Sequence, residues 1–262
     1  MRVLVTGGTG VIGAGLIPEL LAGGHRIRLL ARGAEEASRE WPAAVESFQA
    51  DVTHGGELRG AADGCDAVVH ITGIVAETPP EITFERVNVG GTRNLLKEAS
   101  RAGQPKFVFI SSLAAERGAS AYHKSKRDAE ALVREYGGPW VILRPGNVYG
   151  PGDEVISQLL SMQRTLPAIP MIGSGTHNFQ PIWYIDLGKA IRRARSMLRW
   201  AAASTSLPVK RSPVPTTSST VLSEGRAVLR CDCLSRSSSL LSRPVSRKRL
   251  GCRSPLTCLS FR

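Results

Sequence analysis

Thr6-Gly7-Gly8-Thr9-Gly10-Val11-Ile12-Gly13 decides the reading of this chain. Val3-Leu4-Val5 before it has the continuous apolar character of a buried strand. Val11 to Leu21 after it reads as a helix, closed by Gly23-Gly24. Strand, glycine turn and helix thus follow in one order, with Gly7, Gly10 and Gly13 at a GxxGxxG spacing. Missing side chains let the backbone turn tightly and approach a ligand, and the N–H groups that open a helix point at an anion. A dinucleotide pyrophosphate meets those demands.

Outward from this turn, short apolar runs alternate with amphipathic stretches, as in parallel strands joined by crossover helices. Further strands are expected at Ile27 to Leu30, Glu46 to Ala50, Ala67 to Ile71, Phe107 to Ile110 and Trp140 to Leu143. Helices are expected over Ile82 to Ala102 and Ala121 to Tyr136. The expected fold class is α/β, a doubly wound parallel sheet with strand one central and a small, incomplete C-terminal substrate lobe. The pattern predicts a dinucleotide-binding domain over 1–149, a partial substrate lobe over 150–191 and a basic tail over 192–262.

The 262 residues carry a net charge of +12, and its position matters more than its size. Residues 1–190 hold 19 Lys+Arg against 20 Asp+Glu, whereas residues 191–262 hold 15 against only Glu224 and Asp232. The excess belongs to the tail, so no nucleic-acid partner is expected for the folded domain. The tail is rich in Ser, Arg and Pro and keeps no period for long, which predicts a disordered segment, with an RNA-binding arm as the alternative. Acidic residues nearly vanish at the same place. A reading-frame shift near residues 191–200 accounts for that jump, and a genuine basic extension for anionic partners is the other reading. Cys231-Asp232-Cys233 has no His after it, so no metal is expected. No run reaches the roughly 18 apolar residues of a membrane span. Met1 leads straight into strand one, which predicts a cytoplasmic protein without a leader.

Thr6 to Gly13 resembles the TGxxGxxG fingerprint of the short-chain dehydrogenase/reductase superfamily. Ala50-Asp51-Val52 looks like that superfamily's adenine-contacting pair. Asn88-Val-Gly-Gly-Thr92 resembles the NVxGT helix of its extended, epimerase/dehydratase-like members, and Leu143 to Pro151 resembles their LRPxxVYGP segment. The resemblance runs from Val3 to about Ala190. It implies a Rossmann domain with cofactor contacts at Gly7, Thr9, Gly10, Val11, Ile12, Gly13, Asp51, Val52, Thr72 and Pro145. It also implies a catalytic triad of Ser112, Tyr122 and Lys126, with Lys126 reaching the nicotinamide ribose.

The chemistry asks for those types. Tyr122 and Lys126 stand one helical turn apart on a shared face. A carbonyl that gains hydride needs a proton donor, and a secondary alcohol that loses it needs a base. Tyrosine titrates near about 10, and a neighbouring ammonium is expected to lower that value. Ser112 would orient the substrate oxygen.

Ser112 precedes Tyr122 by only ten residues. That interval resembles an atypical branch, the NADPH-binding accessory subunit of respiratory complex I and its bacterial relatives, as does Asn178 to Asp186. Two functions follow. One is an NADP(H)-linked oxidoreductase or epimerase/dehydratase-like enzyme acting on a carbonyl or secondary alcohol. The other is a non-catalytic NAD(P)H-binding subunit or assembly factor, associated with a respiratory, electron-transfer or quinone-synthesis complex. Ala31 stands where an acidic residue would accept the ribose hydroxyls of NAD, and Arg32 follows it. A guanidinium suits a 2′-phosphate, so NADP is expected over NAD. His123 is read as a surface residue, Asp153-Glu154 as a helix cap and His70 as a core histidine.

Overall fold

The computed structural model describes residues 1–39, 41–116, 118–153, 157, 180–201, 219–222 and 226–231. Strands β1 (Arg2–Thr6), β2 (Arg26–Ala31), β3 (Val45–Gln49), β4 (Ala67–His70), β5 (Lys106–Ile110) and β6 (Trp140–Pro145) form a parallel sheet. With β9 (Ser219–Leu222) and β10 (Arg226–Cys231) it runs β3-β2-β1-β4-β5-β6-β10-β9. β1 is flanked on both sides, as expected. β7 (Asn147–Tyr149) and β8 (Pro181–Trp183) pair apart from it.

Alternating side chains send each strand's apolar residues to two faces. Val3, Val5, Val69, Val108 and Val141 pack with Leu16, Ile17 and Leu20 of α1 (Val11–Ala22) and with Leu187 and Ile191 of α5 (Tyr184–Ala201). Leu4, Val68, Phe107, Phe109 and Ile142 face the other way, onto Leu95 and Ala99 of α3 (Gly91–Arg101) and Ala129 and Val133 of α4 (Ala121–Arg134). Both faces of the central strands are therefore covered, which is why their sequences read as unbroken apolar runs.

α1 ends as its glycines predict. Gly24 has φ +68°, Gly24 N donates to Leu21 O at 2.9 Å and His25 N to Leu20 O at 3.1 Å, a Schellman closure. The third helix begins later than expected. Ile82 and Thr78 instead exchange two backbone bonds of 2.8 and 3.1 Å. Thr83 Oγ1 then accepts from Arg86 N at 3.2 Å, and a wide turn over Glu85–Gly90 leads into α3.

α1 and α5 cross at two glycines. A side chain at Gly15 would collide with the Tyr184 carbonyl, and one at Gly188 with the Gly15 carbonyl. The contact continues past residue 191, since Ala194 is buried and Arg192 pairs with Glu19 at 3.2 Å. The expected boundary at 191/192 is thus crossed by α5. Two tail segments also meet the sheet edge, β10 parallel to β6 with Arg226 opposite Trp140. A strand needs only backbone pairing at such an edge, which composition does not reveal. Most of the expected 150–191 lobe, Glu154 included, and the remaining tail lie outside the described residues. Among the described residues no helix is long and apolar enough to cross a membrane, and no cluster of metal-ligating side chains occurs.

Candidate functional site

The carboxyl ends of β1 to β6 open on one side. Gly7 follows β1, Arg32 follows β2, Asp51 lies beyond β3, Thr72 beyond β4, Ser112 beyond β5, and Pro145 ends β6. Two adjoining clefts occupy that side, both lined by Gly73 and Ile74.

The outer cleft, about 840 Å³, is lined by Gly7, Thr9, Arg32, Asp51, Val52 and Thr72 among the expected residues. Gly7 has φ +70°, and a Cβ there would stand 2.8 Å from Thr72 N. Gly10 stands at the N-cap of α1, which has no side-chain cap. This open turn at a helix N-terminus fits a pyrophosphate. Gly10, Val11 and Gly13 do not line the cleft. Gly13 instead packs on the Gly8 backbone, where a side chain would collide, and so draws the helix onto the turn. For Asp51, burial works against ionisation. Hydrogen bonds from Thr53 N and Oγ1, both 2.8 Å, and the charges of Arg32 and His54 outweigh it and lower the carboxyl below its ordinary value. His54 and Arg86 also line this cleft, and the sequence reading missed both.

The inner cleft, about 520 Å³, brings together Ile12, Ser112, Tyr122, Lys126 and Pro145. Ser120 caps α4, accepting from His123 N at 3.3 Å, and so sets the helix start that aims Tyr122 inward. Lys126 is buried, its Nζ donating to Ile110 O at 3.1 Å and lying 5.3 Å from the Phe109 ring centre. Burial pushes its pKa down to about 8, with Glu130 opposing. Burial also pushes the Tyr122 phenol up, opposed by its hydrogen bond with Ser112. The expected lowering of the phenol by Lys126 is therefore not what this geometry shows, because burial outweighs the hydrogen bond with Ser112. His123 also departs from expectation. It lines the inner cleft, its Nδ1 2.9 Å from Ser120 Oγ.

Asn88 ties the clefts together. Its Oδ1 accepts from Ile74 N at 2.8 Å, and its Nδ2 donates to Ile74 O at 3.1 Å and Ser125 Oγ at 2.9 Å. A Cβ on Gly73 would lie 2.8 Å from Lys126 Nζ, so glycine keeps the lysine's path open. Below, His70 is fully buried between Thr6 Oγ1 at 2.7 Å and Thr92 Oγ1 at 3.1 Å. Thr92 Oγ1 donates to Asn88 O at 2.6 Å, so it accepts from His70 Nε2–H, and Nδ1 accepts from Thr6. The core reading of His70 thus stands, with its tautomer fixed by its neighbours. Asp153 accepts from Ser157 N at 3.0 Å, and the helix it was expected to cap lies outside the described residues.

The sequence profile of the NAD dependent epimerase/dehydratase family matches residues 3–199. The chain belongs to that family. Among its relatives, a ceramide reductase of Caulobacter vibrioides is 34% identical over 172 residues, 65% of this chain and 53% of the relative. A 3 beta-hydroxysteroid dehydrogenase/Delta 5-->4-isomerase of Mycobacterium tuberculosis is 33% identical over 189 residues, covering 61% of this chain and 50% of that one. A 4-hydroxy-2-methyl-3-oxo-4-farnesyl-3,4-dihydroquinoline-1-oxide ketoreductase of Stigmatella aurantiaca is 28% identical, covering 63% of this chain and 56% of the relative. The chain spans about half the length of these curated relatives. Among solved family structures, a Thermus thermophilus UDP-glucose 4-epimerase in complex with NAD superposes with a TM-score of 0.59 at 27% identity, over 74% of each chain. A UDP-galactose 4-epimerase gives 0.66 at 21% identity over 88% of this chain and 77% of that one, which speaks for the fold alone.

Proposed function

We propose that this chain is an NADP(H)-preferring oxidoreductase that acts on the carbonyl or secondary alcohol of a largely apolar substrate. The observation that carries this reading is the convergence of Ser112, Tyr122 and Lys126 on an inner cleft that adjoins the cleft of the glycine turn. When bound, the nicotinamide supplies or accepts the hydride. Gly7 and the start of α1 would hold the pyrophosphate, and Asp51 the adenine. Arg32, with Arg86 in the same cleft, suits a ribose 2′-phosphate. In the reducing direction, Ser112 Oγ–H holds the substrate oxygen by a hydrogen bond. Tyr122 Oη gives its proton to that oxygen as the carbonyl carbon becomes an alcohol carbon. Lys126 would hold the nicotinamide ribose.

The lining supports this substrate class. Ile12, Ile71, Ile74, Val75, Leu113 and Val148 line the inner cleft, and Val75 is 62% exposed there. The names of the ceramide, farnesyl-quinoline and hydroxysteroid relatives describe ketones or alcohols on apolar bodies and favour the same class. The experiment is a turnover screen of apolar ketones and alcohols against UDP-sugars, with NADPH and NADH, for the native chain and Tyr122→Phe. Oxidation or reduction of an apolar compound that Tyr122→Phe has lost is the expected result. Undiminished turnover by the Phe variant overturns the triad.

The ten-residue interval between Ser112 and Tyr122 favours a second reading, a non-catalytic NAD(P)H-binding subunit associated with a respiratory or quinone-synthesis complex. Tight NADPH binding with no turnover across the screen selects it.

A further inference from the structure

The elements that carry Ser112, Pro145 and the pair Tyr122 and Lys126 meet at one carboxylate. Glu130, on α4, has no solvent exposure. Its Oε1 accepts from Ser111 Oγ at 2.6 Å and Arg144 Nε at 2.8 Å. Its Oε2 accepts from Arg144 Nη2 at 2.6 Å and Arg134 Nη2 at 2.7 Å. These bonds use the acceptor capacity of both oxygens. Both partners from other elements adjoin the inner cleft's residues, Ser111 preceding Ser112 and Arg144 preceding Pro145. Glu130 stands one helical turn beyond Lys126, which stands one turn beyond Tyr122.

We propose that Glu130 is a positioning residue: by clamping Ser111 and Arg144 to α4 it sets Tyr122 and Lys126 against Ser112, and it places an anion one helical turn from Lys126. The inference rests on the cofactor and triad reading above. A buried ion network is a weak stabiliser compared with apolar packing, because both charges lose their water. Its place directly behind the inner cleft gives it a different use. Other groups face Lys126 as well. Tyr122 shares its helix, His70 faces it from β4, and the Ile110 carbonyl and Phe109 ring from β5. Glu130 is the anion among them, and it opposes the lowering that burial imposes on Lys126. Around Glu130 itself stand Arg134 on α4 and Arg144 on β6, the latter 3.5 Å from Glu116.

The test compares the native chain with Glu130→Gln and with Tyr136→Phe, which loses a buried 2.8 Å bond to the Pro105 carbonyl and serves as a purely structural control. NADPH and NADH are titrated by fluorescence from acid to alkaline pH, and hydrogen exchange is followed over residues 110–126. In Glu130→Gln, the alkaline fall in cofactor affinity that tracks Lys126 should move to lower pH, and exchange over 110–126 should rise. Tyr136→Phe should lower thermal stability and leave the pH at which affinity falls unmoved. Coincident alkaline limbs for the native and Gln chains, or an equal displacement in Tyr136→Phe, overturn the proposal. Should Glu130→Gln not fold, Ser111→Ala removes one neutral bond. It is then expected to weaken NADPH binding at neutral pH, and affinity equal to the native chain's overturns the clamp. If neither cofactor binds the native chain, the proposed function fails. Hydrogen exchange then decides the clamp by itself, with unchanged exchange over 110–126 in the variant overturning it.

Discussion

At the scale of single residues, Arg32 and His70 make separate predictions. Arg32→Ala should weaken NADPH binding by roughly 1–3 kcal/mol, the scale of a charge-assisted contact, and leave NADH nearly unchanged. Equal losses in paired calorimetric titrations would remove Arg32 from any 2′-phosphate contact. His70 concerns stability. Burial first, then the Lys126 charge, pushes its pKa down to about 3 from an ordinary 6.5. Between those values the unfolded chain binds a proton that the folded chain refuses. Stability is therefore full above about 6.5 and is lost as pH falls toward about 3, at up to about 1.4 kcal/mol per pH unit. The carboxylates held below their ordinary values, Glu46, Asp51, Glu98 and Glu130, act lower, below 4.5. Urea unfolding between neutrality and pH 5 should show the loss in the native chain and a flatter response in His70→Gln. Parallel slopes would place the proton elsewhere.

Among the elements, the crossing of α1 and α5 is the most constrained. Gly188→Val puts a branched side chain against the Gly15 carbonyl, and about 1–3 kcal/mol of destabilisation is expected from overpacking. Gly56→Ala enters open space and should change stability by no more than about 0.5 kcal/mol, so comparing the two thermal midpoints checks the argument. The same contrast explains what could be read from sequence. The glycine turn, the strand ends and the Tyr122–Lys126 spacing are local patterns, and local patterns survive in a string of letters. The Glu130 clamp is not local, since Ser111 and Arg144 reach it from other strands. The direction of the Tyr122 shift depends on burial, which spacing does not encode. His123 was misplaced by helical angle alone because it sits in the first turn of α4, at the cleft rim, with its ring held by Ser120. The edge position of β10 is a matter of backbone register, to which the Ser/Arg composition of the tail gave no clue.

For the whole molecule, the match to the family ends at residue 199, close to where acidic residues nearly disappear. If out-of-frame sequence accounts for the tail, translating the other two frames beyond the Ile191 codon should give an acid-containing, amphipathic continuation. Limited trypsin digestion should leave a core that still holds Arg192 paired to Glu19 and ends by Arg199. A tail that resists trypsin as a unit, in a gene with no such alternative frame, would make it a native extension. The α1–α5 contact also has a consequence during synthesis. Gly15 and Glu19, on the face of α1 that meets α5, leave the ribosome early, and the helix that crosses them starts only at Tyr184. At ordinary translation rates that gap lasts roughly 8–30 s. Until Tyr184 and the residues after it emerge, α1 is held by the sheet alone, through Leu16, Ile17 and Leu20, and its outer face waits for α5.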